Sequence, residues 1–132
     1  MAQHNKIGFL GEGIASNWLN NTGFTIIERN YREKWGEIDI IAEDSMKVIH
    51  FIEVKTVSYE TREKLDWAVS YGTYRPEENV HKKKQKRLSR AIETWLFKQK
   101  YDGIWQIDVI TVRIVLNEKY SKIKFMKNIV FE

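Results

Sequence analysis

The 132-residue chain has no cysteine and a single proline. Without thiols there can be neither a disulfide framework nor a thiolate metal site. No apolar run approaches the roughly 20 residues that cross a bilayer, so no membrane role is expected. Met1–Lys6 lacks the apolar stretch of a signal peptide, and the expected compartment is cytoplasmic. Repeats, low-complexity tracts and internal linkers are also missing. What remains reads as one domain over residues 1–132, with 42% apolar and 30% charged residues, ordinary values for a soluble globular protein.

Charge is modest in total and uneven in place. The net charge is +4, yet His81 to Lys100 alone carries six Lys, two Arg and one Glu, a net +7 that leaves the rest of the chain at −3. A concentrated basic segment on a weakly acidic body suits a polyanion better than a uniformly basic surface would.

Ile7, Leu10, Gly11, Ile14, Ala15 and Trp18 follow helical spacing, and Gly23 suits the left-handed cap that ends such a helix. Residues 24–30, 36–43 and 48–56 read as three strands. Residues 57–75 show no clear period and read as a loop. Residues 77–99 read as a long helix with Pro76 at its start and a stripe of Leu88, Ala91, Ile92, Trp95 and Leu96. Strands are expected at 105–116 and 123–130. The order αβββαββ describes an α/β domain with a mixed central sheet flanked by helices.

The second and third strands contain the chemistry. Gly36–Ala42 (GEIDIIA) and Phe51–Lys55 (FIEVK) are apolar enough to be buried, yet both contain charges, which are costly inside a core unless paired or bound to a cation. Alternation puts Ile49, Phe51, Glu53 and Lys55 on one face, and Glu37, Asp39 and Ile41 on one face of the neighbouring strand. A hairpin whose paired numbers sum to 92, with Ser45, Met46 and Lys47 in its loop, sets Asp39 opposite Glu53 with Cβ atoms roughly 5 Å apart. Two such carboxylates repel unless a proton or cation lies between them. Mg²⁺ takes one or two carboxylates plus waters and phosphate oxygens, so the pattern fits a phosphodiesterase centre. The plainer alternative, a solvated Glu53–Lys55 pair on an exposed strand, conflicts with the apolar flanks.

Glu12 lies roughly 120° from the middle of the first helix's apolar stripe. Its surroundings are small: Gly8, Gly11, Gly13, Ala15 and Ser16. Interior glycines each cost a helix about 1 kcal/mol relative to alanine, so three imply a close approach, of which smooth packing on a sheet is the simplest form.

Together, Gly11-Glu12 to Ala15, Arg29 to Arg32 (RNYR), Gly36 to Ala42, Phe51 to Lys55, and the stretch from Pro76 through Leu88 resemble the YraN family over roughly residues 8–112. These small bacterial proteins have restriction-endonuclease-like folds of the PD-(D/E)xK nuclease superfamily, similar in their αβββαβ core to Holliday-junction resolvases. The resemblance implies that Asp39, Glu53 and the Val54 carbonyl hold Mg²⁺, with Mn²⁺ as a substitute. It implies that Lys55 orients the attacking water, and that Glu12 binds or positions a second ion or water. Ile38 stands where many superfamily members have proline, and the Gln-x-x-x-Tyr signature of some exonuclease branches is absent, since Ser89 follows Gln85.

Arg32, Lys83, Lys84, Lys86 and Arg87 are candidate nucleic-acid contacts, against the alternative of a merely solvated helix surface. Trp67, Tyr71 and Tyr74 either stack on unpaired bases or anchor their loop, with anchoring the plainer role for Trp67. Trp18, Trp95 and Trp105 read as core, and the three histidines lack ligand spacing. The function expected is a Mg²⁺-dependent endonuclease for structured or branched DNA, with DNA favoured over RNA as partner and a homodimer admissible. The alternatives are a catalytically silent nucleic-acid-binding module of the same fold, or an RNA-processing factor.

Overall fold

The computed structural model describes residues 3–76 and 82–130. Helix α1 (Gln3–Asn21) ends where Gly23 turns left-handed at φ +96° and the Phe24 N–H donates to the Leu19 carbonyl at 3.0 Å, the six-to-one bond of a Schellman cap. Strands β1 (Thr25–Glu33), β2 (Gly36–Glu43) and β3 (Ile49–Ser58) follow as antiparallel neighbours. Helices α2 (Arg62–Tyr71) and α3 (Lys82–Gln99) lead to β4 (Trp105–Val115), which lies parallel to β3. A 3₁₀ turn at Leu116–Glu118 returns the chain as antiparallel β5 (Tyr120–Met126). The sheet order is β1-β2-β3-β4-β5, the mixed five-stranded sheet expected of a restriction-endonuclease-like core.

Helices α1 and α3 cover opposite faces of the sheet, and α2 packs on β4 through the buried Leu65. Ala15 and Leu19 of α1 pack on Ile40, Ala42, Ile52, Val54, Ile110, Val112 and Ile114. On the other face Leu88, Ala91, Ile92 and Trp95 of α3 pack on Tyr31, Ile38, Ile41, Ile49 and Phe51. Two glycines set the helix distances. A Cβ on Gly11 would overlap the Thr56 side chain, and one on Gly36 would overlap the Arg87 backbone carbonyl. Gly11 therefore brings α1 down onto β3, and Gly36 brings β2 against α3. Gly8 and Gly13 face open space, so packing does not account for them.

The structure corrects several expectations. Residues 57–75 are not a loop: β3 runs on to Ser58, and α2 is capped by Thr61, whose side chain accepts from the Lys64 N–H at 3.1 Å. Its period was hidden because Leu65 is its one residue buried outright while Trp67 and Tyr71 point outward. Trp67, 61% exposed, anchors nothing. Trp105 is 42% exposed and Trp18 only half-buried, so of the three tryptophans only Trp95 is true core. The last strand is shifted to Tyr120–Met126, and residues 77–81, expected to open the long helix, lie outside the described residues. Among the described residues no helix is long and apolar enough to cross a membrane.

Candidate functional site

The β2–β3 hairpin has the expected register: Ile40 pairs with Ile52, Ile41 with Phe51, Ala42 with His50 and Glu43 with Ile49. The ladder stops at Ile40, and there a side chain takes over from the backbone: the Val54 N–H donates to Asp39 Oδ2 at 2.8 Å. Strict alternation also fails at this point. Ile38 and Ile41 both belong to the α3 side of the core, while Ile40 and Ala42 belong to the α1 side. Across from Asp39, between the pairs Arg29–Ile40 and Tyr31–Ile38, Asn30 is left-handed at φ +53°. Asparagine tolerates this conformation better than other side-chain-bearing residues. Ile38 and Ile40, two residues apart, lie on opposite sides, so the strict alternation expected to align Glu37, Asp39 and Ile41 does not hold through this stretch. Asp39 stands where β2 departs from β3.

Glu53 lies on the central strand and is 1% exposed. Burial, reinforced by the Asp39 charge, pushes its carboxyl up to about 8 even though the Lys84 ammonium opposes the shift. That ammonium reaches in from α3 and forms an ion pair with the buried Glu53 Oε1. Lys84 is itself raised: burial alone would lower it, and Glu53, Asp39 and Glu37 outweigh burial. Lys55 feels the same acids, but its burial and the neighbouring Lys84 hold it below the ordinary lysine range. Glu12 approaches from α1, half-buried, and burial together with the Asp39 charge raises it to about 7, against the pull of Arg29 and Arg32.

Two cavities that share Lys84 and Glu37 open beside these groups, and Glu53 and Lys55 line neither. One, of about 450 Å³, is lined by Glu12, Asp39, Val54 and Lys84, with Arg32 and Gly8 on its wall. The second, of about 550 Å³, is lined by Glu37, Lys83, Lys84 and Arg87. Asp39, Glu53, Lys55 and Glu12 are thus brought together, and Arg32, Lys83 and Arg87 border them. Lys86 is exposed and lines neither cavity. Lys84, expected as a nucleic-acid contact, reaches the buried acid Glu53 and lines both cavities. Its direction depends on how α3 is docked, which helical periodicity does not specify.

A second buried cluster escaped the sequence reading. His50, 3% exposed, lies between Asp108 (Nδ1 to Oδ2, 2.5 Å) and Asp44 (Nε2 to Oδ2, 2.9 Å). Burial would lower the imidazole, but the two carboxylates raise it on balance. Asp108 also accepts from Gln106 Nε2 and the Asn128 N–H, and Asp44 from the Met46 and Val48 N–H groups. The Asp44–His50 spacing was readable, whereas Asp108 comes from a distant strand.

Residues 11–112 match the family described as Uncharacterised protein family UPF0102. The chain belongs to UPF0102. This bears out the resemblance to the YraN family drawn from the motifs. It is 36% identical to a UPF0102 protein of Campylobacter fetus, over 94% of this chain and 93% of that protein. It is 38% identical to one of Clostridium botulinum over 92% and 91%, and 36% identical to one of Alkaliphilus oremlandii over 93% and 96%. The match begins at Gly11 and ends at Val112, so it includes Glu12, Asp39, Glu53, Lys55 and Lys84.

Proposed function

We propose that this UPF0102 protein is a Mg²⁺-dependent phosphodiester hydrolase acting on structured or branched DNA. The observation that carries the reading is the mutual proximity of Asp39, the buried Glu53 and Lys55, with Asp39 and Val54 lining a cavity of about 450 Å³. Among the described residues no three Asp, Glu or His side chains are gathered closely enough to hold a metal by themselves. A site of two carboxylates, one backbone carbonyl and otherwise water and substrate oxygens does not require that. The donors fit a hard divalent ion: two buried or half-buried carboxylates whose affinity for protons is raised.

In this reading Asp39, Glu53 and the Val54 carbonyl hold Mg²⁺, or Mn²⁺ in its place, and Glu12 holds a second ion or a water. The bound ion supplies charge neutralisation at the phosphate and a more acidic water. Lys55 would orient the attacking water and stabilise the charge that develops on the phosphoryl oxygens. The Asp39–Val54 bond keeps the strand from turning, so that Glu53 and Lys55 stay aimed at the same place. Arg32, Lys83 and Arg87 seat the flanking phosphates.

One observation favours a second reading, a silent nucleic-acid-binding module: Asp39 and Glu53 are already balanced in charge by Lys55 and Lys84. Labelled flap, junction, duplex and single-stranded substrates, incubated with Mg²⁺, Mn²⁺ or EDTA, separate the two. Cleavage that needs metal and disappears in Asp39→Asn is the expected result. Binding without cleavage of any substrate leaves the module.

A further inference from the structure

Lys84 stands at an unusual place for a surface-helix lysine. Its ammonium contacts a carboxylate that is 1% exposed, while its own side chain is 38% exposed and lies on the wall shared by the acidic cavity and the Lys83–Arg87 cavity. We propose that Lys84 is a tethered cation that holds Glu53 in the resting protein, yields that carboxylate when a divalent ion binds, and moves to a nucleic-acid phosphate in the adjoining basic cavity. This rests on the metal-site reading above and adds to it a coupling between metal and nucleic acid.

The physical argument is one of competing cations. Glu53 is too deeply buried to stay ionised without a partner, and Lys84 is the cation in contact with it. A divalent ion held by Asp39 and Glu53 would offer twice the charge to two carboxylates, whereas the ammonium engages one oxygen of Glu53. The lysine stem is flexible enough to swing out while α3 stays docked through Leu88 and Ala91. Once released, its charge adjoins Lys83 and Arg87, and three cations against the single carboxylate of Glu37 leave the cavity with a net positive charge that a phosphate would neutralise. Metal should therefore strengthen nucleic-acid binding, and nucleic acid should strengthen metal binding by the same factor.

Two measurements test this. Amine labelling of the wild-type protein at pH 8, read by mass spectrometry, should show Lys84 becoming several-fold more reactive on adding Mg²⁺, with Lys86 unchanged, and protected again when duplex DNA is added. Mn²⁺ titration followed by electron paramagnetic resonance should show Lys84→Met binding the ion about tenfold more tightly than wild type, a typical size for such a coupling. Lys84→Gln serves as a second neutral variant, and Lys86→Met should leave the affinity within about twofold of wild type. Unmoved Lys84 labelling with no gain in Mn²⁺ affinity overturns the exchange. The metal reading survives that result if Glu53→Gln still weakens Mn²⁺ binding. If neither the wild type nor the Lys84 variants bind Mn²⁺, the metal site itself falls and takes the exchange with it.

Discussion

The Val54 N–H donates to the Asp39 carboxylate at 2.8 Å, on the one residue that separates Glu53 from Lys55. A single acid on β2 thereby clamps the backbone of the strand that carries the other two reactive groups, at the point where the β2–β3 ladder ends. Asp39 has two jobs in the proposed site: it binds the cation and it fixes the neighbouring strand.

The two jobs separate by substitution. Asp39→Asn keeps an oxygen for the Val54 N–H but loses the charge, so cleavage should vanish while the fold holds and DNA binding is unchanged or tighter. Asp39→Ala loses both, leaves the amide without its acceptor, and should cost a further 1–3 kcal/mol or so of stability. Urea unfolding of the two variants beside a cleavage assay checks this. Equal stability would show that the clamp is dispensable.

Gly11 and its neighbours differ in kind. Gly11→Ala drives a Cβ into Thr56 and should destabilise the protein by about 1–3 kcal/mol, displacing Glu12 from the cavity. Gly8→Ala and Gly13→Ala meet open space and should each stabilise α1, by up to about 1 kcal/mol. Thermal unfolding of the three variants distinguishes the positions, and a uniform response would contradict the close approach at Gly11.

The Asp44–His50–Asp108 cluster should make stability depend on pH. The imidazole is raised in the folded state, so its contribution is fully present below the unfolded histidine pKa of about 6.5 and is lost as pH rises through the higher folded value. Unfolding free energy should fall as pH rises through that range, where the raised Glu12 and Glu53 carboxyls act with the same sign, and His50→Gln should make the fall shallower without abolishing it. An unchanged slope in His50→Gln would mean the imidazole is neutral in the fold.

Basic residues should divide by position. Neutralising Lys83 and Arg87 together should weaken binding to every sequence and lower the salt slope by somewhat less than two, since each duplex phosphate the protein neutralises adds about 0.9 to that slope. Lys86→Gln, outside both cavities, should change neither quantity. Fluorescence anisotropy over a range of salt concentrations measures both.

Trp67 and Tyr71 lie one helical turn apart on α2, ring centroids 6.1 Å from each other, and both are mostly exposed. Replacing either with serine should change stability by no more than about 0.5 kcal/mol, the ordinary limit for surface positions. A larger loss in denaturant unfolding would restore the anchoring role.

Much of this protein was legible in the chain because it depends on local pattern. Alternation marked β3, helical spacing marked the buried stripe of α3, Gly23 marked the end of α1, and the short Asp44–Val48 connection set the register that brings Asp39 towards Glu53. A hairpin loop and a two-residue repeat are short-range constraints, and sequence carries those directly. Helix α2 was hidden because its large apolar residues face outward, so the usual sign of burial was inverted. Three features needed the tertiary structure: the placing of left-handed Asn30 across from Asp39, the inward reach of Lys84, and the pairing of His50 with Asp108. Each depends on how elements far apart in the chain are docked. A helix wheel reports which residues share a face, but the packing of Gly36 against the Arg87 carbonyl decides what that face meets.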